Sequence, residues 1–228
     1  MVDPALLAGL QQGLRAMGQD PDQHPCDQYL AYVELLGKWN RAYNLSGIRD
    51  PGRMITHHIL DSLAVRPFVL GERCLDVGSG AGLPGFILAL SLPATRWVLL
   101  DSSRKKTRFL TQAVLELKPG NIEVVTARVE AYRPQALFTT ITSRAVTSLR
   151  DFRAMTAHLL APGGRLLALK GGDLDAELAG VGVAEVHKLH VPGVSGPIAS
   201  ASASGSSRGT KRTSKGKAGK PYQPRSEP

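Results

Sequence analysis

The sequence predicts an α/β protein, a doubly wound and mostly parallel sheet preceded by helices. Short apolar runs of strand length alternate with amphipathic helical segments between Arg73 and Leu169, as repeated strand–helix–strand units require. A glycine turn, Gly78-Ser79-Gly80-Ala81-Gly82, joins the first run to the first of these helices. Residues 3–70, by contrast, carry apolar side chains at helical spacing.

In chain order, Leu6, Leu7, Leu10 and Leu14 mark a first helix. Tyr29, Leu30, Val33, Leu35 and Leu36 continue an apolar face toward Trp39 and Tyr43, and Pro21 and Pro25 separate the two segments. The second helix carries Lys38, Asn40 and Arg41 near its end and stops at Asn44-Leu45-Ser46-Gly47. A further helix is expected over Met54–Phe68, bearing His57, His58, Asp61 and Ser62. Polar residues of this kind on a helix are as well explained by solvation or packing as by a site.

Arg73-Cys74-Leu75-Asp76-Val77 has the length and apolar character of a buried parallel strand, and Phe86-Ile87-Leu88-Ala89-Leu90 continues as a helix. Arg96-Trp97-Val98-Leu99-Leu100 is the next strand and ends in Asp101. The helix of Lys105, Lys106, Arg108, Phe109, Leu110, Ala113, Val114 and Leu117 stops at Pro119-Gly120. Ile122, Val124 and Val125 form a third strand and Phe138–Thr142 a fourth, followed by Ser143-Arg144-Ala145. A helix over 149–160, the turn Ala161-Pro162-Gly163-Gly164 and the strand Arg165–Leu169 complete the core. Ligands of such sheets sit beyond the carboxyl ends of the strands, where Asp76, Asp101, Val129, Arg144 and Lys170 fall.

The glycines give the backbone freedom for a bulky polar ligand to approach a helix N-terminus. A dinucleotide fingerprint, G-x-G-x-x-G, would need glycine where Leu83 stands. The turn instead runs G-x-G-x-G behind Asp76 and resembles the first motif of S-adenosylmethionine-dependent methyltransferases, whose ligand has no pyrophosphate. Asp101 lies about twenty residues beyond the turn, as a ribose-binding carboxylate should. Its competing role is the N-cap of the helix beginning near Ser103, a position Ser102 or Ser103 could also fill. Val129 is placed to line an adenine and Glu130 or nearby backbone to hydrogen-bond it.

A more specific resemblance is carried by separated motifs in a fixed order. These are Lys38-Trp39-Asn40-Arg41-Ala42-Tyr43-Asn44-Leu45-Ser46, Arg49-Asp50-Pro51, His58-Ile59-Leu60-Asp61-Ser62, Asp76 to Gly85, Leu99-Leu100-Asp101-Ser102, Arg104-Lys105-Lys106, Ser143-Arg144-Ala145 and Ala168-Leu169-Lys170-Gly171. Over roughly residues 25–192 the chain resembles the bacterial small-subunit ribosomal RNA guanine-N7 methyltransferase G family, also called glucose-inhibited division protein B. The resemblance implies a Rossmann-like class I methyltransferase fold and S-adenosyl-L-methionine held at Gly78, Leu83, Val129, Glu130 and Arg144. Gly80 and Asp101 join them from the motif reading. It implies as substrate 16S rRNA, the small ribosomal subunit or an assembly intermediate. Guanine N7 offers a lone pair and carries no proton, so no general base is expected; Arg144, His58 and Asn44 are candidates for positioning. The competing readings are a methyltransferase for a small molecule or protein, and a cofactor-binding assembly protein without turnover.

Three units are expected: an N-terminal helical extension, 1–70, packed on a methyltransferase core, 71–195, and a disordered basic tail, 196–228. The last apolar strand of relatives is missing there, replaced by Ser/Ala/Gly repeats. Of the formal charge of +9, +6 falls on residues 199–228 and +3 on the rest. Lys38, Arg41, Arg53, Arg104, Lys105, Lys106 and Arg108 could contact phosphates, although a basic helix face is often merely solvated. No stretch has the apolar length of a membrane span, and there is no secretory signal. Cys26 and Cys74 fit free thiols in a cytoplasmic protein and offer no metal set. Nothing demands more than a monomer.

Overall fold

The computed structural model describes residues 3–144, 148–171, 185–193 and 198–204. Ala145 and residues 196–197 and 205–228, which enter the expectations above, lie outside the described residues. Two helices open the chain, α1 (Pro4–Ala16) and α2 (Cys26–Tyr43). Asp3 caps α1 by accepting from Ala5 N, and Pro4 stands where a missing N–H costs nothing. Asn44 ends α2 in the left-handed region, φ 48°.

The helix expected from Met54 begins three residues earlier and is not uniform. It runs as α3 (Pro51–Met54), a π-helical turn at Ile55–Leu60 and α4 (Asp61–Leu63), then a 3₁₀ turn at Arg66–Phe68. Asp50 caps it through Arg53 N. The π turn changes the helical phase between His57 and Asp61, which decides what those residues can reach.

The core strands are β1 (Arg73–Val77), β2 (Arg96–Asp101), β3 (Ile122–Thr126), β4 (Phe138–Arg144) and β5 (Leu160–Gly171). Helices α5 (Gly85–Ser91), α6 (Arg104–Leu117) and α7 (Leu149–Thr156) connect or follow them. The α7 helix is shorter than expected, because the chain leaves it for β5 before the Ala161-Pro162-Gly163-Gly164 segment. That segment, expected as a turn, is the start of β5, where the register with β4 shifts between Phe138 and Thr140. Two further strands are β6 (Glu185–Leu189) and β7 (Ile198–Ser204), and the sheet order is β3-β2-β1-β4-β5-β7-β6. The first five strands are parallel, whereas β7 runs antiparallel to both β5 and β6.

The strand β7 corrects the expectation of a disordered segment from residue 196 and of a missing last strand. Ile198-Ala199-Ser200-Ala201-Ser202-Ala203-Ser204 alternates with the period of two that a strand uses. Pairing on both edges satisfies its backbone whatever the bulk of its side chains.

Both sheet faces are covered. On one, Leu99 and Leu167 join Phe86, Phe109, Leu36, Leu14 and Ile59 in a single cluster, so α1, α2 and the π turn share a core with α5 and α6. On the other, Leu75, Val98, Leu100, Ile141 and Leu166 pack with Phe152 and Leu159. Buried aliphatic strands of this kind bring the carboxyl ends of β1, β2 and β4 to one rim.

Candidate functional site

The rim is built around the β1/β4 boundary, where the strand order reverses. The Asp76 carboxylate, fully buried, accepts from Thr142 Oγ1 on β4 at 2.7 Å and from Gly85 N at 3.3 Å. Burial pushes its pKa up to about 6, against the opposing pull of those donors. Gly85 must be glycine, because a Cβ there would stand 2.5 Å from the Asp76 Cβ. Gly82, at φ +87°, similarly lets the turn close onto Leu110 and Phe86. Tyr32, wholly buried on α2, donates its hydroxyl to the Ala81 carbonyl and thereby braces the turn from the N-terminal side.

Beside the turn lies a cleft of about 250 Å³ lined by Gly78, Asp101, Lys106, Val129 and Glu130, among others. Gly78, at φ +66°, has no atom of the described residues within 4 Å of where a Cβ would be, which leaves its side of the turn open to a ligand. Asp101 Oδ2 accepts from Gly80 N at 2.9 Å and its Oδ1 from Ser103 N at 2.8 Å. Lys106 Nζ stands 3.6 Å from the same Oδ2. Each carboxylate oxygen keeps a further acceptor site, sufficient for a vicinal diol. Ser103, the N-cap of α6, makes no side-chain capping bond, and Asp101 serves that end of the helix as well as facing the cleft.

Across the rim Arg144, at the end of β4, is gripped by the N-terminal helices. Its Nη2 pairs with Asp61 Oδ2 at 2.7 Å and donates to Ser62 Oγ at 3.2 Å, while Nη1 donates to the His57 carbonyl at 3.1 Å. Among the described residues, its Nε and Asp61 Oδ1 are buried without a hydrogen-bond partner. Burial raises the Asp61 pKa although Arg144 pulls it down. His58 Nε2 meets Ser46 Oγ at 2.8 Å, and burial drives its pKa down to about 4, so the ring is neutral at pH 7. Ser46 is itself fixed by Asn40, which donates to the Ser46 carbonyl and accepts from its N–H. Asp61 and Ser62 of one N-terminal motif thus meet the end of β4 directly, and Asn40 and Ser46 of another reach the same helix through His58.

Comparison with known proteins places this architecture. A family model described as GidB, rRNA small subunit methyltransferase G, matches residues 25–194. The chain belongs to this family. The ribosomal RNA small subunit methyltransferase G of Ectopseudomonas mendocina is 50% identical over 193 residues, 82% of this chain and 90% of that one. That of Laribacter hongkongensis is 54% identical over 167 residues, 72% of this chain and 81% of the other. Among solved structures, a SAM-dependent methyltransferase from Aquifex aeolicus superposes with TM-score 0.53 at 16% identity, over 72% of this chain and 95% of its own. A DhpI–SAH complex gives 0.52 at 15%, over 78% and 95%. At such identities the likeness is one of fold, and that fold is the Rossmann-like one of methyltransferases.

Of the residues singled out in the sequence, Gly78, Asp101, Val129 and Glu130 line one cleft, with Gly80 bound to Asp101 behind it. Leu83 is buried in the core cluster and is not among the lining residues. Arg144 and His58 belong to the second group, across the rim. Asn44 is not brought to either; it stops α2, is exposed, and its Oδ1 accepts from Arg49 Nη2 at 3.1 Å. Lys170 lies on β5, opposite Ala199 of β7. Sequence reasoning missed Asp61 as the partner of Arg144, Tyr32 as the brace of the turn and Lys106 as a wall of the cleft. Asp61 and Lys106 each gave a signal, their places in His58-Ile59-Leu60-Asp61-Ser62 and Arg104-Lys105-Lys106, and Tyr32 gave none. Among the described residues no group of His, Cys, Asp or Glu could hold a metal ion, and no helix is long and apolar enough to cross a membrane.

Proposed function

We propose that this chain methylates guanine N7 in small-subunit ribosomal RNA, using S-adenosylmethionine held in the cleft beside the glycine turn. The observation that carries this is the convergence of the N-terminal family motif on Arg144. The turn, Asp101 and the Val129–Glu130 wall belong to the core, whereas Asp61, Ser62 and His57, which anchor Arg144 at the end of β4, come from the N-terminal helices and tie that extension to the core.

The residues suit the cofactor. Asp101 offers acceptors to ribose hydroxyls, Gly78 leaves room, and the Val129–Glu130 wall gives a purine an apolar contact and a polar edge. The cofactor supplies a methyl group on a positively charged sulfur. The N7 lone pair would attack the methyl carbon and expel the sulfur as a neutral thioether, so that a C–N bond would form as the C–S bond broke and the positive charge would pass to the base. No proton has to move, so a neutral His58 is consistent with the reaction and a base is superfluous. Arg144, held by Asp61, would clamp the cofactor carboxylate or donate to guanine O6. The protein acts as a monomer in the cytoplasm, on 16S rRNA or on the particle containing it.

The test is transfer of tritium from labelled S-adenosylmethionine to small subunits from cells lacking the protein, followed by nucleoside mass spectrometry. The expected product is N7-methylguanosine in 16S rRNA. Label on another atom, or on protein alone, overturns the proposal.

A further inference from the structure

We propose that the outer face of α6, together with the aromatic pair at the end of α2, is an RNA-docking subsite for an unpaired nucleotide and its flanking phosphates. This rests on the ribosomal RNA reading above and adds where the strand lies. An open depression of about 860 Å³ is lined by Trp39, Arg104, Lys105, Arg108, Thr111 and Thr126, with no acidic residue on its walls. Among the described residues none of its three cations is in an ion pair. Thr126 adjoins Ala127, which lines the cofactor cleft, and Lys106 of the same helix forms a wall of that cleft. The depression and the cleft are therefore linked through Thr126–Ala127 and through α6.

Two further observations point to nucleic acid. The first is electrostatic. Arg104, Lys105, Lys106 and Arg108 crowd the N-terminal half of α6, whose first turn holds no acidic residue. Cations belong at the other end of a helix, where the dipole is negative. Apart from Asp101, which meets Ser103 N and Lys106, cations and dipole add here, and Arg104, Lys105 and Arg108 concentrate positive potential on the outer face of the helix. The second is the aromatic pair. Trp39 is wedged edge-on against Phe109 at 5.7 Å and stacks on Tyr43 with centroids 5.2 Å apart and planes 29° apart. Tyr43, beside the depression's Trp39, is 37% exposed, so part of its ring is open to solvent while the other ring of the pair is held by Phe109. Stacking on aromatic rings beside a cationic groove is how unpaired bases are held.

The experiment uses the full chain and purified small ribosomal subunits as probe. Affinity is followed against salt for the wild type, R104Q/K105Q/R108Q, Y43A and Y43F. Loss of three phosphate contacts should lower the slope of log affinity against log salt by about 2. Y43A should weaken binding about tenfold with the slope unchanged, and Y43F should restore it. Cofactor affinity should be the same in all four, since none of these side chains lines the cofactor cleft. A photo-crosslinker at position 43 should join to rRNA. Wild-type affinity and slope in the variants, or a crosslink to a ribosomal protein, would overturn the subsite while leaving methylation intact. A wild type that neither binds nor methylates the subunit would remove the functional proposal and the subsite together.

Discussion

Asp61 Oδ2 and Arg144 Nη2 lie 2.7 Å apart, joining the helix that follows the π turn to the end of the fourth strand. The side chains are only 26% and 10% exposed for Arg144 and Asp61, so water does little to screen the pair. Asp61→Ala should cost about 3 kcal/mol, mostly from stranding the guanidinium. Asp61→Asn and Arg144→Gln should each raise the cofactor KM more than they lower stability. In a double-mutant cycle the combined variant should lose little beyond either single one. Additive losses in cofactor titration would show that the two act separately.

Gly78→Asp should abolish cofactor binding. The site is at φ +66°, which costs an L-residue about 1–2 kcal/mol, and the new carboxylate would enter the cleft beside Asp101. Circular dichroism should remain native while calorimetric titration shows no heat; an unchanged affinity would contradict the assignment of the cleft.

Tyr32→Phe removes one hydroxyl and leaves the aromatic packing against Phe86 and Phe109 in place. Losing the bond to Ala81 should cost about 1 kcal/mol of stability. Because Ala81 sits within the turn, the cofactor KM should rise severalfold with kcat nearly constant. A change in kcat alone would be the wrong result.

The first two predictions show where the sequence was informative and where it was not. The β1–turn–α5 unit and Asp101 could be located because strand length, glycine spacing and the acidic strand end are local properties. The Asp61–Arg144 pair could not, since it joins elements far apart in sequence, and a π turn at Ile55–Leu60 resets which residues of the helix share a face. Leu83 matched the family motif, yet its side chain packs into the core, because a motif position fixes residue type without saying whether side chain or backbone meets the ligand. The strand β7 escaped notice because alternating Ala and Ser reads compositionally as low complexity, and its order comes from two neighbouring strands rather than from apolar bulk.

Stability should carry two opposed pH dependences. Asp76 is raised to about 6 in the folded protein, so it binds protons more tightly there than when unfolded, and stability falls as pH rises from about 4 to 6. His58 is lowered to about 4, so stability falls as pH drops from about 6.5 to 4. Each amounts to roughly 3 kcal/mol at its limit, and over the shared window they offset each other. Urea midpoints of Asp76→Asn should therefore rise steeply with pH, and those of His58→Gln should fall. Parallel profiles for both variants would rule this out.

Ending the chain after Pro197 rather than after Ser204 removes seven backbone pairings with β5 and five with β6. The shorter protein should melt at least about 10 °C below the longer one. Equal melting temperatures would mean that β7 contributes nothing to the sheet.

Because β7 is inserted between β5 and β6, the order of synthesis and the order of assembly cannot coincide. Among the described residues β6 pairs only with β7, so it leaves the ribosome without a neighbour and must wait for residues 198–204 to emerge. The nascent polypeptide can complete its parallel half and close the glycine turn first, and only afterwards zip the distal edge in one concerted step.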